Sequence, residues 1–237
     1  MYHFDSRVRY SETGEDGCLT LTGVIDLLQD CSTFQSEDCG VGVKYLESRR
    51  KVWMLSSWRI CIDRYPELGE QIRVGTWPYG NKGIYGYRNF VIEDLTGQRL
   101  VEADSTWFLL DLDSGLPCRV RQEDVGPYGE PGEKIPMEPA PKKISLPSIY
   151  EEGEPVMVRS HHIDTNHHVN NAQYVEIARE VVPGGTGRIR ELRVEYKKAA
   201  VLGDVIYPKI SREGGQITVL LQDGQGGSYA ILWMRAV

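Results

Sequence analysis

The 237-residue sequence has no long apolar run, no long run of one charge and only five cysteines. No stretch approaches the roughly 20 apolar residues of a membrane-spanning helix, and the N-terminus lacks the basic start and apolar core of a signal peptide, so we expect a cytoplasmic protein. An odd number of cysteines without C-x-x-C spacing argues against a disulfide framework or a zinc ribbon. The net charge of -7 and the scattered basic residues argue against a general nucleic-acid or membrane surface.

The sequence also lacks the motifs of several enzyme classes. There is no G-x-S-x-G elbow, and the last cysteine is Cys118, which disfavours a serine or cysteine acyl-enzyme in the second half of the chain. No G-x-G-x-x-G or P-loop pattern follows a strand, so we expect no nucleotide cofactor. The chemistry that remains is hydrolysis or proton transfer by carboxylates and imidazoles.

Half of the twelve prolines lie between positions 124 and 150, in a segment with little periodic apolar pattern. This composition is typical of an extended linker. It divides the chain into an N-terminal part, 1–123, the linker, 124–150, and a C-terminal part, 151–237.

The two parts repeat the same order of elements. A strand-like stretch, at 7–10 in the first part and at 156–159 in the second, precedes a helix in each. The helices carry apolar residues at helical spacing: Val24, Leu27, Leu28 and Cys31 in the first, and Val175, Ala178 and Val182 in the second.

Strand patterns follow each helix, and two pairs of them align: 58–64 with 192–198, and 90–94 with 218–222. A sheet with a single helix must wrap that helix to bury its apolar stripe. We therefore predict an α+β fold of two units, each an antiparallel sheet wrapped round one long helix, paired as an intramolecular pseudo-dimer.

Four of the five histidines lie between positions 161 and 168. In an extended segment, residues two apart share a face, so Asp164, Asn166 and His168 would point into the same space. Asn170 is a good N-cap for the helix that follows. The polar trio would then reach a helix N-terminus, where free N–H groups and the dipole stabilise an oxyanion, a combination suited to attack on an acyl carbonyl.

Two other interpretations of the histidine run need no acyl chemistry. The pairs His161-His162 and His167-His168 could ligate zinc, but neighbouring strand residues face opposite ways and no set of three converges, so we expect no metal. Asp164 and Asn166 could instead form an Asx-turn that satisfies backbone groups before the N-cap.

The stretch Asp164-x-Asn166-x-His168-Val169-Asn170-Asn171-x-x-Tyr174, followed by Glu195-Tyr196-Lys197-Lys198, resembles the signature of acyl-acyl-carrier-protein thioesterases of plants and bacteria. The resemblance covers essentially the whole chain, because the duplicated plan matches the paired hotdog domains of that family. It implies a tandem hotdog fold without metal or cofactor. The implied reaction, which ends fatty-acid synthesis, hydrolyses the thioester between a fatty acyl chain and the phosphopantetheine arm of acyl carrier protein.

Carried over by position, the resemblance makes Asp164 the nucleophile or general base. Asn166 and His168 would orient it and stabilise the thioester carbonyl. Plant members carry a Glu-Cys pair, the Glu implicated in activating water, where this chain has Ala199 and Ala200. A cysteine nucleophile is thereby excluded at this site, and water activation must come from Asp164, His168 or a residue elsewhere.

The N-terminal part lacks the trio, because alignment of the two parts places at its positions Gly14, Asp16 and Cys18. We therefore expect one active site per chain, with the N-terminal unit supplying the acyl-chain pocket. Four candidate lining residues are equally compatible with core packing: Trp53, Met54, Trp58 and Trp77. An acidic carrier protein needs a local basic surface, for which the options are Arg49-Arg50-Lys51, Arg119 with Arg121, and Arg188 with Arg190.

Three other functions remain open. The signature does not separate carrier-protein from acyl-CoA thioesters. A hotdog hydratase or dehydratase uses Asp-x-x-x-x-His, whereas Asp164 and His168 have three residues between them. A non-catalytic acyl sensor would have no need for both side chains. Chain-length preference and a further homodimer are not determined by the sequence.

Overall fold

The computed structural model describes residues 1–236. They form two compact units: unit 1 comprises Met1–Ser56 and Ile60–Glu138, and unit 2 comprises Ser57–Arg59 and the chain from Pro139 onward. Each unit has one long helix against a sheet of antiparallel pairs, which confirms the predicted α+β class. Within residues 1–236, no helix has the length and apolar character to cross a bilayer.

Unit 1 holds the first eight helices and strands of the described chain, except for residues 57–59 of the fourth element. These are β1 (Tyr2–Arg7), α1 (Leu21–Asp38), α2 (Val43–Ser48), β2 (Lys51–Ile62), β3 (Gln71–Lys82), β4 (Tyr85–Asp94), β5 (Arg99–Asp111) and α3 (Gln122–Val125). The strand order is β1-β3-β4-β5-β2. The strand expected at 7–10 lies at Tyr2–Arg7 instead, because Tyr10–Glu12 forms a 3-10 helix.

Helix α1 begins at an N-cap and buries one face. The Thr20 side chain accepts a hydrogen bond from Gly23 N at 3.0 Å, which satisfies one of the free N–H groups of the first turn. The helix packs on β1 and β3. Its buried apolar residues include the predicted stripe, Val24, Leu27, Leu28 and Cys31.

Unit 2 repeats this plan with a shorter helix. Its elements are β6 (Glu151–Glu152), β7 (Val156–Met157), α4 (Asn171–Glu180), β8 (Ile189–Tyr196), β9 (Val205–Glu213), β10 (Gln216–Gln222) and β11 (Ser228–Ala236). The strand order is β8-β11-β10-β9-β6, with β7 also paired to β9. Helix α4 packs on β10 and β11 through the buried residues Ala172, Val175, Ile177 and Ala178.

Equivalent backbone hydrogen bonds support the predicted duplication. Val8 N donates to Glu70 O at 2.9 Å in unit 1, and Val158 N donates to Asp204 O at 2.8 Å in unit 2. The 3-10 helices Tyr10–Glu12 and Ser160–His162 follow at the same spacing. The duplication therefore extends to individual turns.

One predicted strand alignment is wrong by one residue. Asp94 N donates to Gln98 O at 3.0 Å, and Asp223 N donates to Gly227 O at 2.8 Å, in turns of the same form. Asp94 is therefore equivalent to Asp223, and 90–94 corresponds to 219–223 rather than 218–222. The difference matters because a shift of one residue moves every side chain to the other face of a strand.

The proline-rich segment is held by both units in turn. In unit 1, Ile135 N donates to Asn89 Oδ1 at 2.9 Å, and the Trp77 indole donates to Glu133 O at 2.7 Å. In unit 2, Ile144 N donates to Glu195 Oε1 at 2.6 Å. The Ile144 side chain lies in a small cluster with Leu220, Ile231, Tyr150 and Trp233.

Candidate active site

The residues Asp164, Asn166 and His168 lie in a tight turn in unit 2. Ile163 and Val169 form an antiparallel bridge across its base. Asp164 N donates to His168 O at 2.8 Å, and His167 adopts φ 61°. The prediction of an extended segment with alternating faces is therefore wrong, because these hydrogen bonds reverse the chain within five residues.

The Asp164 carboxylate stabilises this turn. Its Oδ1 accepts hydrogen bonds from Asn166 N at 2.8 Å and from His168 N at 3.4 Å. This is the Asx-turn of the alternative interpretation. Within residues 1–236, Asp164 Oδ2 accepts no hydrogen bond, so one oxygen of this half-buried carboxylate holds the turn while the other is available.

Asn166 and His168 contact Asp164 through their backbone N–H groups. The Asn166 side chain is exposed and the His168 side chain is half-buried. In the described residues, neither side chain hydrogen-bonds to the Asp164 carboxylate. The turn therefore brings the three residues together, but an orienting contact between their side chains is not formed.

The turn leads directly into α4. The Asn170 side chain accepts a hydrogen bond from Ala172 N at 2.8 Å, which confirms Asn170 as the N-cap. Val169 N donates to Ala200 O at 2.9 Å, and Ala200 N donates to the Tyr174 hydroxyl at 2.7 Å. The residues before and within the first turns of α4 are thus tied to the loop that contains Ala199 and Ala200.

His162 supports the approach to the turn. Its ring is buried, and its Nδ1 accepts a hydrogen bond from Arg159 N at 3.1 Å. Burial, followed by the positive charges of His161 and Arg159, lowers the pKa of His162. Its backbone O also accepts from Asn170 N at 2.8 Å. His162 therefore has a structural role in the approach to the turn.

Unit 1 contains the same turn without the same side chains. Thr13 and Leu19 form the bridge, and Gly14 N donates to Cys18 O at 2.9 Å. Gly17, with φ 72°, stands where unit 2 has His167. Asp16 Oδ1 accepts from Cys18 N at 3.0 Å. The unit 1 turn therefore has the fold of its counterpart but no carboxylate and imidazole at the positions of Asp164 and His168.

The four predicted pocket residues have different environments. Trp77 lines a cavity of about 570 Å³ in unit 1. The Trp53 ring packs against Gly86, and a Cβ added to Gly86 would lie 3.2 Å from that ring. Trp58 is buried, with 2 % of its surface exposed. Met54 is half-buried. Only Trp77 among these four lines that cavity.

A buried arginine that no sequence motif indicated, Arg88, contacts two residues that line this cavity, Gln35 and Tyr128. The arginine lies on β4 two residues before Phe90, so the period of the strand places both side chains on one face. An apolar residue such as Phe90 is expected to face the interior, so the alternation along β4 could have indicated that Arg88 faces the interior as well. Among residues 1–236, no group of three or more His, Cys, Asp or Glu side chains is arranged to hold a metal ion.

Family models and curated relatives of this chain point to the same protein family. The model of the acyl-ACP thioesterase N-terminal domain matches residues 1–128, and that of the C-terminal domain matches residues 150–232. A dodecanoyl-[acyl-carrier-protein] hydrolase of Cinnamomum camphora is 26% identical over 226 residues, covering 88% of this chain and 58% of that protein. The chain spans about half to two thirds of the length of the curated relatives it matches.

Solved structures with the same fold cover nearly all of the chain. An acyl-ACP thioesterase from Bacteroides thetaiotaomicron has a TM-score of 0.85 at 21% identity, covering 98% of this chain and 96% of that one. The 12:0-ACP thioesterase from Umbellularia californica has a TM-score of 0.84 at 20% identity, covering 99% and 97%. These matches confirm the predicted hotdog fold. With both domain models accounting for most of its length, the chain belongs to the acyl-ACP thioesterase family.

Proposed function

We propose that this protein hydrolyses fatty acyl-[acyl-carrier-protein] to free fatty acid and carrier protein, ending fatty-acid synthesis in the cytoplasm. The observation that carries the proposal is the turn at Asp164–His168 leading into α4, in a chain that belongs to this family. The carrier protein, with its phosphopantetheine-linked acyl chain, is the proposed partner. No cofactor is required by this reaction.

Asp164 is proposed as the general base or nucleophile, with Asn166 and His168 as its partners in the site. The available Oδ2 of Asp164 supports this role, because the turn uses only the other oxygen. The thioester carbonyl would then lie near the N-terminal turn of α4, whose N–H groups and dipole favour negative charge.

Water activation is assigned to Asp164 or His168. Ala199 and Ala200 have no side-chain group that accepts a proton. Glu195 is engaged elsewhere, because its Oε1 accepts from Ile144 N at 2.6 Å and its Oε2 pairs with Lys197. Asp164 and His168 therefore remain as the proposed residues for activation of water.

Unit 1 is proposed to hold the acyl chain, and Trp77 is the predicted lining residue that its cavity supports. For carrier docking, the cluster Arg49-Arg50-Lys51 is a poor choice, because its three cations pair with Glu123, Asp113 and Asp124. Arg119 and Arg121 are exposed and carry no ion pair among residues 1–236, which favours them as docking residues. A homodimer is compatible with the proposal but not needed for it.

The test measures thiol release from acyl carrier protein and CoA thioesters of varied chain length, with enzyme-only blanks to correct for the protein's own cysteines. We expect Asp164→Ala and His168→Ala to lower the rate by about a hundredfold or more, the usual contribution of a positioned acid or base. Asp16→Ala is the matched control, because it removes the equivalent turn hydrogen bond in unit 1.

Each outcome of this test has a distinct meaning. Absence of thiol release from every substrate would overturn the hydrolase proposal and favour an acyl sensor. Faster turnover of CoA esters would change the proposed partner. An equal loss of thiol release in Asp16→Ala and Asp164→Ala would indicate that the two turns contribute only to folding.

A further inference from the structure

In both units the chain just before the long helix is tied to the loop after the next long strand. Leu19 N donates to Pro66 O at 2.8 Å in unit 1, and Val169 N donates to Ala200 O at 2.9 Å in unit 2. Pro66 is therefore equivalent to Ala200. This backbone hydrogen bond belongs to the duplicated plan and needs no particular side chain.

Unit 2 adds two hydrogen bonds of tyrosine hydroxyls at this place. The hydroxyl of Tyr196, the last residue of β8, donates to the O of Asn171, the first residue of α4, at 2.9 Å. The Tyr174 hydroxyl accepts from Ala200 N at 2.7 Å. The two rings lie edge to face, with centroids 5.8 Å apart. Tyr174 and Tyr196 thus form a tyrosine brace between α4 and the end of β8 with its following loop.

Unit 1 folds in the same way without these hydroxyls. Val24 stands four residues into α1 at the place of Tyr174, and Ile62 ends β2 at the place of Tyr196. Both are buried apolar residues. Pro66 has no N–H, so no hydroxyl is needed to accept from it. The tyrosine brace therefore belongs to the unit with the proposed catalytic turn and is not a requirement of the fold.

The tyrosine brace acts on the segment that joins this turn to α4. Positions 169–174 are held at three points: by Val169 N on Ala200 O, by Asn171 O on Tyr196 and by the Tyr174 hydroxyl on Ala200 N. Three contacts fix the orientation of a short segment, whereas one hydrogen bond leaves it able to rotate. Burial raises the pKa of Tyr174 to about 12 and that of Tyr196 well above its ordinary value, so both hydroxyls keep their protons at neutral pH.

The two hydroxyls differ in what their loss would leave behind. In an α-helix the carbonyl of the first residue accepts from the N–H four residues on, so Asn171 O has a helical partner besides Tyr196. Loss of the Tyr196 hydroxyl therefore leaves no buried group unpaired. Loss of the Tyr174 hydroxyl leaves Ala200 N without its acceptor. The Tyr196 hydrogen bond thus fixes geometry more than it satisfies the backbone.

We propose that Tyr196 and Tyr174 are positioning residues for the hydrolysis, which hold the first turn of α4 and the adjoining Asp164–His168 turn in the orientation that the reaction needs. This inference rests on the proposed hydrolase function. Neither hydroxyl is assigned a contact with substrate, since both act through the backbone. A misplacement of about 1 Å can cost about a hundredfold in rate, because the reacting groups must meet in a narrow range of geometries.

The first experiment measures kcat and KM for thiol release from an acyl carrier protein thioester. Tyr196→Phe keeps the ring and removes the hydroxyl. We expect kcat to fall by about tenfold or more while KM changes by less than about twofold, and the melting temperature should change little. Tyr79→Phe is the matched control, because it removes a 2.7 Å hydroxyl hydrogen bond to Asp104 in unit 1 and should leave both constants unchanged.

The second experiment separates positioning from stability at Tyr174. Tyr174→Phe should lower the melting temperature, because Ala200 N is left unpaired. Adding Ala200→Pro removes that N–H and reproduces Pro66 of unit 1, so the double variant should regain stability. Its kcat should stay about tenfold below that of the wild-type protein. A double variant that regains both properties would show that Tyr174 only satisfies the backbone, and would overturn its positioning role.

Hydrogen exchange tests the tyrosine brace without substrate. In Tyr196→Phe we expect faster exchange of the amides at 168–172 and unchanged exchange at the equivalent positions 18–22 of unit 1. Unchanged exchange at 168–172, or an unchanged kcat in Tyr196→Phe, overturns the positioning role while the wild-type protein still releases thiol. Absence of thiol release from the wild-type protein instead overturns the hydrolase proposal, and the positioning role with it. A loss of activity that only follows the loss of folded protein assigns the tyrosines to stability alone.

Discussion

Asp164 Oδ1 lies 2.8 Å from Asn166 N, so the residue proposed to act on the thioester also holds its own turn closed. An alanine substitution therefore removes two properties together, the charge and the turn hydrogen bond. Asparagine separates them, because its Oδ1 still accepts from Asn166 N while the negative charge is lost.

We expect Asp164→Asn and Asp164→Ala both to lower thiol release by about a hundredfold or more. Only Asp164→Ala should also lower the free energy of unfolding, by about 1 kcal/mol, because the turn N–H loses its acceptor. Kinetics and urea unfolding on the same preparations check this. Full activity in Asp164→Asn would restrict the carboxylate to a structural role.

The stability of unit 2 should depend on pH through His162. Its Nδ1 must be unprotonated to accept from Arg159 N, and burial lowers its pKa. Neutral His162 therefore stabilises the fold above its ordinary pKa of about 6.5, and this stability is lost as the pH falls toward the lowered value. We expect the melting temperature to decrease between pH 7 and pH 5.5.

His162→Glu should reduce that decrease. Unit 1 has Glu12 at the equivalent place, where its carboxylate accepts from Arg9 N at 2.9 Å. A carboxylate remains ionised through this pH range and keeps the hydrogen bond. His3→Gln, at an exposed site in unit 1, is the control. An unchanged pH dependence in His162→Glu would mean that another group is responsible.

His167→Gly should stabilise the protein. His167 adopts φ 61°, in the left-handed region, and Gly17 occupies the equivalent position of unit 1 with φ 72°. Removal of the Cβ relieves about 1 kcal/mol of backbone strain, although glycine also makes the unfolded chain more flexible. Chemical unfolding measures the gain. Thiol release should stay the same, and its loss would show that the imidazole takes part in the reaction.

Tyr174→Phe should destabilise unit 2. The hydroxyl accepts from Ala200 N in the interior, so its removal leaves a buried N–H without a partner at a cost of about 1–3 kcal/mol. Because Ala200 O also accepts from Val169 N, thiol release should fall as well. The exposed Tyr207 provides the control, Tyr207→Phe, which should change neither the unfolding midpoint nor the rate.

The duplicated α+β plan, the N-cap at Asn170 and the correspondence of Asp164 with Gly14 could all be predicted from the order of the amino acids. These features depend on residues close together in the chain, because caps, turns and periodic stripes are short-range interactions. The same local chemistry supported two interpretations of the run at 164–168. The bridge between Ile163 and Val169 shows that this run forms a turn and not an extended segment.

The partners of residues that lie far apart in the chain are visible only in the folded protein. Gln35 and Arg88 are hydrogen-bonded although 53 positions separate them in the sequence, and Ile144 and Glu195 are hydrogen-bonded across a separation of 51 positions. No periodic pattern encodes such pairs, since they arise when a helix docks on a sheet or a linker crosses a strand. The charge of Arg88 could be read in the sequence, but its burial among neutral side chains could not.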